Sequence, residues 1–248
     1  MEKILIRDAT NSDKSSVLDF CKNTFLWGDY IQDVWDYWLR EGNLLLIEKE
    51  YPVGICHAFF SKNQVWLEGI RINSTFRRQG LATNLVKHAE SLAKEKKIPF
   101  SFMLIDTENS PSLSMAKSLN YDIFQTWNFY SLLPQFNSHN IQLHNEFNFT
   151  KFPHYVNSWR WLVFDHETLL SLSNQNKIIF SNEKGDVASA ILTDSEHFDK
   201  TLIVTLFSGS QINTMNVILY IQNYGEEKNY RKIQILTKEK LPLLKNLE

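Results

Sequence analysis

The sequence of 248 residues is poor in glycine, proline and cysteine, with 8, 6 and 2 residues respectively. So few glycines and prolines exclude collagen-like and low-complexity chains, while 43% hydrophobic residues supply enough apolar surface for a folded core. The two cysteines, Cys21 and Cys56, allow one disulfide at most, which argues for a reducing environment. We expect a globular protein with one large or two modest domains.

The sequence also lacks an excess of charge of either sign. It has 26 Lys and Arg against 28 Asp and Glu, a formal net charge of -2, so it offers no general attraction to nucleic acid or anionic membranes. No run approaches the roughly 18 apolar residues of a membrane helix, and residues 1–7 do not form an apolar export segment. We expect a cytoplasmic monomer or homodimer, with no nucleic acid and no membrane among its partners.

The hydrophobic pattern of the first half changes from helical to alternating and back. A helix is predicted at residues 32–41, followed by three short apolar or alternating runs that suit an antiparallel meander. An amphipathic helix, a buried strand, a further helix and a last strand follow. The predicted strands are 44–48, 53–61, 65–72, 100–105 and 121–133, and the later predicted helices are 80–96 and 112–119.

The second half repeats this order after a stretch without periodicity. Residues 135–158 are predicted to be a connector between a domain at 1–134 and a second domain at 159–248. Its three histidines, His139, His144 and His154, are irregularly spaced and have no cysteine partners, so no metal site is expected. Beyond it we predict a helix, three strands, a helix and a strand, which indicates a duplicated but diverged domain. The predicted helices of this second domain are 167–172 and 213–224, and its predicted strands are 177–181, 187–193, 201–207 and 232–236.

The most informative segment is a strand that passes through a short loop into a helix start. Backbone N–H groups at a helix start have no partner within the helix, and the helix dipole adds partial positive charge there. The small residues Gly80 and Ala82 keep side chains away from these N–H groups, and Arg77 and Arg78 add positive charge. The segment predicts a phosphate site. A plain helix start after two arginines is the alternative.

This turn resembles the phosphate loop of the GCN5-related N-acetyltransferase (GNAT) family, which reads Gln/Arg-x-x-Gly-x-Gly/Ala after a strand. Here residues 77–82 read Arg-Arg-Gln-Gly-Leu-Ala. A second family element, an asparagine followed by a helix that ends in Gly-Phe, is matched in spacing by Asn109 to Tyr121. The resemblance covers about residues 1–133. It implies an α/β (α+β) fold, a mostly antiparallel mixed sheet flanked by helices, with a second, diverged GNAT-like domain in the C-terminal half.

The resemblance also implies acetyl-CoA as the acyl donor, and no metal. The pyrophosphate would bind the backbone N–H groups of the turn, and the pantetheine arm would pair with the exposed edge of the strand that contains Ile70 and Ile72. The acetyl carbonyl would accept a backbone N–H near Ile70. Asn109 is implied in both binding and catalysis. The implied cofactor-binding residues are Ile70, Arg71, Ile72, Arg77, Arg78, Gln79, Gly80, Leu81, Ala82, Thr83, Asn109 and Ser112.

Glu68 is the candidate catalytic base. An attacking amine must first lose a proton, since an α-amino group titrates near pKa ~8 and a lysine near ~10.4. By the two-residue period of a strand, Glu68 is predicted to share a face with Ile70 and Ile72, where its carboxylate could take that proton. The alternative is that Glu68 pairs with an arginine or faces solvent.

Two positions depart from the family pattern. Ala116 stands where many relatives have a tyrosine that protonates the departing thiolate. A thiol titrates near pKa ~8.5, so a thiolate can leave without that acid at neutral pH. Asn120 replaces the usual glycine, and asparagine tolerates the left-handed conformation at a helix end.

A first helix is predicted around Val17, Cys21 and Phe25, and the segment that leads from it into the helix at 32–41 is aromatic and acidic; this family usually builds its acceptor pocket there. Asp29 is predicted to attract an ammonium group, and Trp27 and Tyr30 to stack on a planar or cationic group. Trp35 and Trp38 follow helical spacing and are predicted to belong to the core.

This segment, the strand around Glu68 and the long C-terminal half are also similar to the vertebrate histidine N-acetyltransferase branch. The implied function is acetyl-CoA-dependent N-acetylation of a small-molecule or amino-acid amine by direct attack on the thioester. A catalytically silent acyl-CoA-binding or regulatory protein and a scaffold that has lost the cofactor are the alternatives. Residues 207–213 lie where a second phosphate loop would fall but lack its arginine and small-residue pair, so the second domain is expected to bind no acyl-CoA.

Overall fold

The apolar runs and amphipathic stretches fold into two five-stranded sheets with flanking helices. The computed structural model describes residues 4–22, 24, 28–141, 154–183, 186–242 and 244. The chain divides into two units, Met1–Asp122 and Ile123–Glu248. Within the described ranges, none of the helices combines the length and apolar character that a membrane crossing requires.

The sheet of the first unit has the order β1-β2-β3-β4-β5. Neighbouring strands are antiparallel except β4 and β5, which are parallel and are connected through α3. The strands are β1 (Leu5–Asp8), β2 (Leu44–Glu48), β3 (Pro52–Phe60), β4 (Gln64–Ile72) and β5 (Phe100–Met103). The helices are α1 (Lys14–Cys21), α2 (Ile31–Glu41), α3 (Leu81–Glu95) and α4 (Ser110–Ser118).

Helices cover both faces of this first sheet. On one face, α3 contributes apolar side chains that recur three or four residues apart: Leu81, Leu85, Val86, Ala89 and Ala93. On the opposite face, α2 contributes Ile31, Val34, Trp35 and Trp38. The prediction that Trp35 and Trp38 are core residues is confirmed, since both are almost wholly buried. Asn120, just beyond α4, has φ +63°, the left-handed conformation expected for it.

The second unit repeats the meander, helix and parallel strand of the first. Its sheet has the order β6-β12-β11-β10-β9, with β11 and β12 parallel and the other neighbours antiparallel. The strands are β6 (Asn128–Leu132), β7 (His154–Asn157), β8 (Arg160–Val163), β9 (Ile178–Ser181), β10 (Ala188–Asp194), β11 (Thr201–Phe207) and β12 (Lys232–Thr237). The helices are α5 (His166–Asn174) and α6 (Gln211–Glu227). The repeated order expected from the sequence is therefore confirmed.

The structure differs from the predicted domain limits in two places. The first unit ends at Asp122 rather than at residue 134, because β6 pairs with β12 and buries Tyr130 and Leu132 in the second unit. The predicted connector at 135–158 contains β7, which forms a hairpin with β8. Local alternation identifies a strand but not the sheet edge that it joins. His144 lies outside the described residues.

An irregularity interrupts the pairing of β3 and β4. Ile55 pairs with Arg71, but His57 pairs with Glu68, so β4 carries one residue more than β3 between these pairs. This is a β-bulge, and Gly69 within it has φ +62°, a conformation that favours glycine. A Cβ on Gly69 would lie 2.4 Å from Cη2 of Trp38. The bulge therefore depends on a residue without a side chain.

Replacement of Gly69 by alanine should destabilise the first unit more than the same change at Gly80. Gly80 has a similar φ of +75°, but a Cβ there would meet nothing within 4 Å. We expect G80A to lose roughly 1–2 kcal/mol from left-handed backbone strain. G69A should lose roughly 2–4 kcal/mol, because the clash with Trp38 is added to that strain. Urea unfolding of both variants measures the difference, and equal losses would contradict a packed bulge.

Candidate active site

The bulge changes which side chains of β4 share a face. Ile70 and Ile72 pack with the cluster under α3, on the same face as Leu67. Glu68 instead contacts His57, which stacks on Trp38 of α2 on the opposite face. The prediction that Glu68 shares a face with Ile70 and Ile72 is therefore wrong, because one extra residue reverses the alternation beyond it.

The strands β4 and β5 are paired over only part of the length of β4. The parallel register joins residues 64–67 to residues 100–103, and β5 ends there while β4 continues to Ile72. Among the residues that the structure describes, no strand pairs with residues 68–72 along this edge. The C-terminal part of β4 therefore offers an open strand edge.

The backbone groups on this open edge can be assigned from the register. The Asn73 N–H donates to a carbonyl of β3 at 2.9 Å. In an antiparallel ladder, the backbone N–H and C=O groups of every second residue point toward the partner strand. Those of Arg71 therefore also point toward β3, and those of Ile70 and Ile72 point toward the open edge. Two side-chain contacts agree: Arg77 Nε donates to the Ile72 carbonyl and Arg71 Nη1 to the Ile70 carbonyl, both at 3.2 Å.

The turn before α3 is accessible and has the backbone shape of an anion site. Arg78 and Gly80 have left-handed φ values of +63° and +75°, while Gln79 between them does not. Such alternation turns successive N–H groups toward one side of the chain. Residues 77–80 are exposed, and Gln79 accepts a hydrogen bond from Lys49 Nζ at 3.0 Å. The turn therefore has two arginines and a lysine at its surface.

The first N–H groups of α3 remain available at this turn. The first bond of the helix runs from the Asn84 N–H to the Gly80 carbonyl at 3.0 Å, so residues 81–83 have no acceptor within the helix. Gly80 is the N-cap and has no side chain that could accept from them. The prediction that small residues leave this turn open agrees with the geometry.

Asn109 and Ser112 have a contact that differs from the role implied by the family. Asn109 is the exposed N-cap of α4, and its Oδ1 accepts the Ser112 N–H at 3.2 Å. That contact explains the residue types at a helix start. A catalytic role for Asn109 has no supporting contact in the described part of the chain.

Glu68 has a partner that neither reading of the sequence included. Its Oε1 lies 2.8 Å from Nδ1 of His57, and its side chain is 12% exposed. His57 is completely buried. Its other ring nitrogen, Nε2, lies 3.1 Å from the Gly42 carbonyl and 3.4 Å from Oε2 of Glu41. The candidate base is thus one end of a chain from Glu68 through His57 to Glu41.

Sequence reasoning missed His57 and Glu41. The available signal was a histidine flanked by small apolar residues in a strand, Cys56-His57-Ala58, because a buried histidine requires polar partners. Glu41 ends α2, whose sequence gives no indication that its last residue reaches β3.

The acidic residue expected to attract the acceptor has a different partner. Both carboxylate oxygens of Asp29 contact Arg71, from Nε at 2.6 Å and from Nη2 at 3.1 Å, and this carboxylate is 3% exposed. The Arg71 guanidinium also lies 5.2 Å from the centre of the Tyr30 ring, and burial raises the pKa of the Tyr30 hydroxyl. Asp29 is thus neutralised within the protein, which corrects the expectation that it attracts an ammonium group. Trp27 lies outside the described residues.

The corresponding turn in the second unit is closed. β11 and β12 pair over six residues without a shift, from Thr201 with Lys232 to Leu206 with Thr237, so within the described part of the chain β11 is paired with β12 along almost its whole length. Gly209 packs directly on the backbone just before β10, since a Cβ at this position would lie 2.2 Å from the carbonyl oxygen of Asp186. At the start of α6, the Ser210 side chain accepts the Asn213 N–H. The helix start is therefore capped by its own chain.

One cluster among the described residues has the composition of a metal site, namely Glu41, His57 and Glu68. The two carboxylates contact different nitrogens of the His57 ring. This geometry is a hydrogen-bonded chain rather than a shell of ligands around one ion. Absence of a bound metal remains a prediction.

Comparison with known proteins agrees with this geometry. Residues 13–121 match the family model described as the acetyltransferase (GNAT) family. No curated protein matches the chain.

Solved structures resemble the chain over nearly its whole length. A GCN5-related N-acetyltransferase from Sphaerobacter thermophilus is 11% identical with a TM-score of 0.64, over 97% of this chain and 90% of its own. A protein of Thermoplasma acidophilum is 13% identical with a TM-score of 0.64, over 98% and 93% respectively. At such identities the likeness shows the fold alone. It confirms the predicted mixed α/β fold with mostly antiparallel sheets flanked by helices.

The ion pair of Asp29 and Arg71 predicts a stability effect rather than an effect on substrate attraction. In D29N the buried guanidinium of Arg71 loses its counter-charge, which should lower the free energy of unfolding by roughly 3 kcal/mol. The matched control is D19N, because Asp19 pairs with Lys22 while exposed to solvent and should show no measurable change. Urea unfolding compares the two variants, and full stability of D29N would show that Asp29 is not a structural partner of Arg71.

Proposed function

We propose that the first unit, which matches the model of the acetyltransferase (GNAT) family over residues 13–121, transfers an acetyl group from acetyl-CoA to an amine. The acceptor that we propose is a small-molecule or amino-acid amine. The single observation that carries the proposal is the combination of an exposed turn at residues 77–83, whose N–H groups have no acceptor within α3, with the end of β4 that no described strand pairs with.

The described residues fit the donor expected of this family, which uses acetyl-CoA. A pyrophosphate on the N–H groups of residues 78–83 would meet the positive end of α3 and the charges of Arg77 and Arg78. The open edge at Ile70 and Ile72 suits an extended amide-containing arm, which would add to the sheet as a further strand. These contacts together hold a thioester beside the bulge.

The bulge supports a role in stabilising charge. In our proposal the Ile70 N–H donates to the acetyl carbonyl oxygen, and this donor gains value as negative charge develops there during attack. Glu68 removes the proton of the amine, and the protein otherwise accelerates the reaction by holding both reactants in one orientation. The buried Ala116 cannot supply a proton to the sulfur, so the thiolate leaves unprotonated or takes a proton from water.

The charges near Glu68 support an amine acceptor. Asp29 and Arg71 neutralise each other, whereas Glu41 and Glu68 place two carboxylates around one histidine. A cationic ammonium group would be attracted to such a site before it loses its proton. The similarity to the histidine N-acetyltransferase branch makes histidine and related amino acids the first acceptors to test.

Binding of CoA is tested by a charge placed at the second residue of a helix in each unit. A82E puts a carboxylate where the pyrophosphate is proposed to bind, so the Kd for CoA should rise more than about 10-fold. I212E makes the same change at the second residue of α6 and should leave the Kd within about twofold, because we propose that only the first unit binds CoA. Isothermal titration with CoA gives affinity and stoichiometry. A stoichiometry of two per chain, or equal effects of both variants, would contradict the proposal.

Catalysis is tested by thiol release from acetyl-CoA with a panel of amino acids, polyamines, aminoglycosides and peptide N-termini. E68Q should lower kcat about 100-fold or more, since it removes the base, and leave the Kd for CoA unchanged. E95Q, the same chemical change at the exposed end of α3, is the control and should retain wild-type turnover. Binding without thiol release for every amine would favour a silent acyl-CoA-binding protein. Wild-type rates for E68Q across the pH range would exclude Glu68 as the base.

A further inference from the structure

Arginine side chains hold both backbone carbonyls of the open edge of β4. Arg71 Nη1 donates to the Ile70 carbonyl and Arg77 Nε donates to the Ile72 carbonyl, each at 3.2 Å. Both carbonyls point away from β3, toward the side on which a pantetheine arm is proposed to lie as a further strand. The edge that no described strand joins thus carries a guanidinium group at each of its two carbonyls.

The two arginines differ in how firmly they are held. Arg71 is 12% exposed and makes two further bonds to the Asp29 carboxylate. Arg77 is exposed, and within the described part of the chain the Ile72 carbonyl is the one acceptor that its guanidinium contacts. A large displacement of Arg71 would break a buried ion pair, whereas Arg77 can leave by giving up one exposed hydrogen bond. Arg77 is therefore the exchangeable side chain.

Arg77 lies between the strand edge and the turn that is proposed to hold the diphosphate. Ile72 is the last residue of β4, and Arg77 is the first residue of that turn. Ile70 lies two residues, or about 7 Å, farther along the strand. A donor whose diphosphate binds the turn must pass its arm along Ile72 before its thioester reaches Ile70. The Arg77 guanidinium lies on that path, because the carbonyl that it contacts points out of the edge.

A diphosphate offers Arg77 a stronger partner than the Ile72 carbonyl. A guanidinium group can bind a charged phosphate through two parallel N–H bonds, and such bonds are shorter and stronger than a bond to a neutral carbonyl. The exchange leaves no backbone group of the edge without a partner, since the released Ile72 carbonyl can accept an amide N–H of the arm. Binding of the diphosphate and opening of the edge for the arm are therefore coupled through one side chain.

We propose that Arg77 determines the donor specificity of the first unit. Its guanidinium closes the Ile72 end of the strand edge until a diphosphate on the turn draws it away. Thioesters attached to CoA open the edge by themselves, while thioesters attached to a bare pantetheine arm have to displace Arg77 without compensation. This inference rests on the proposed function, because it requires the diphosphate at the turn and the arm along β4.

Arg78 provides a matched control. It is exposed, belongs to the same turn and brings the same positive charge to the diphosphate. Unlike Arg77, it contacts no carbonyl of β4 among the described residues. Loss of either arginine should weaken the diphosphate contact, but only loss of Arg77 should free the strand edge.

Binding of three probes tests the proposal by titration calorimetry or NMR titration: CoA, ADP as a diphosphate without the arm, and pantetheine as the arm without the diphosphate. In R77M the Kd for CoA and for ADP should rise about 10-fold or more. The Kd for pantetheine should fall about three- to tenfold, because no hydrogen bond has to be broken at Ile72. In R78M the Kd for CoA and ADP should also rise, while the Kd for pantetheine stays at its wild-type value.

The opposite directions for pantetheine and CoA separate an edge-closing side chain from a simple phosphate contact. If R77M binds pantetheine no more tightly than the wild type does, or if neither binds it measurably, the proposal is wrong. An equal gain for pantetheine in R78M would also overturn it, because the gain would then follow from charge and not from the contact with Ile72. Thermal unfolding of both variants confirms that they are folded.

The movement of Arg77 can also be observed without a loss of side-chain length or charge at other positions. NMR of the arginine Nε–H groups in the wild-type protein should show one signal that is absent in R77K and that shifts when ADP or CoA is added. An Arg77 signal that stays unchanged while ADP binds would contradict the exchange. This measurement decides the question if R77M does not fold.

The outcomes distinguish this inference from the proposed function. A wild-type protein that binds neither CoA nor ADP would remove the proposed function and the inference with it. Binding of CoA with the expected behaviour of R77M, but no thiol release with any amine, would remove acetyl transfer and leave donor selection. Thiol release from acetyl-CoA by a wild-type protein whose R77M variant shows no gain for pantetheine would overturn the role of Arg77 alone.

Discussion

The candidate site depends on one extra residue in one strand. Because β4 has two residues where β3 has one, Glu68 lies on the α2 face while Ile70 and Ile72 lie on the α3 face. The bulge requires a left-handed residue that leaves room for the Trp38 ring, and Gly69 meets both conditions. Without the extra residue, the regular alternation of a strand would place Glu68, Ile70 and Ile72 on the same face of the sheet. The open edge of β4 would then lie beside different side chains.

The two units show how the same order of elements can be open or closed. Each has a three-stranded meander followed by a helix and a parallel strand. In the first unit the parallel pair is joined at only the start of β4, and a glycine begins the helix. In the second unit the pair is joined over six residues, and Ser210 caps the helix start. Register and capping, more than topology, decide which unit has an accessible strand edge and free helix N–H groups.

Buried charge at the candidate site is arranged in pairs. Asp29 pairs with Arg71, and the ring of His57 lies between the carboxylates of Glu68 and Glu41, so these buried polar groups have the partners that a low-dielectric interior requires. The residue type of Asp29 suggested attraction of a substrate, yet its partner lies on β4, far along the chain. Pairing of this kind is long-range, so a local sequence pattern cannot distinguish an acid that binds a ligand from one that balances an arginine.

The sequence by itself determined the order and type of most elements, the buried face of α2 and α3, and the exposed glycine turn before α3, because these follow from hydrophobic periodicity and local backbone preferences. Only the tertiary structure decided the rest. It assigned the strand at Asn128–Leu132 to the second sheet, moved Glu68 to the opposite face from Ile70, gave Asn109 a capping contact and brought His57 between two glutamates. Each of these depends on which distant strand or helix a residue meets, and periodicity carries no information about the partner across a sheet.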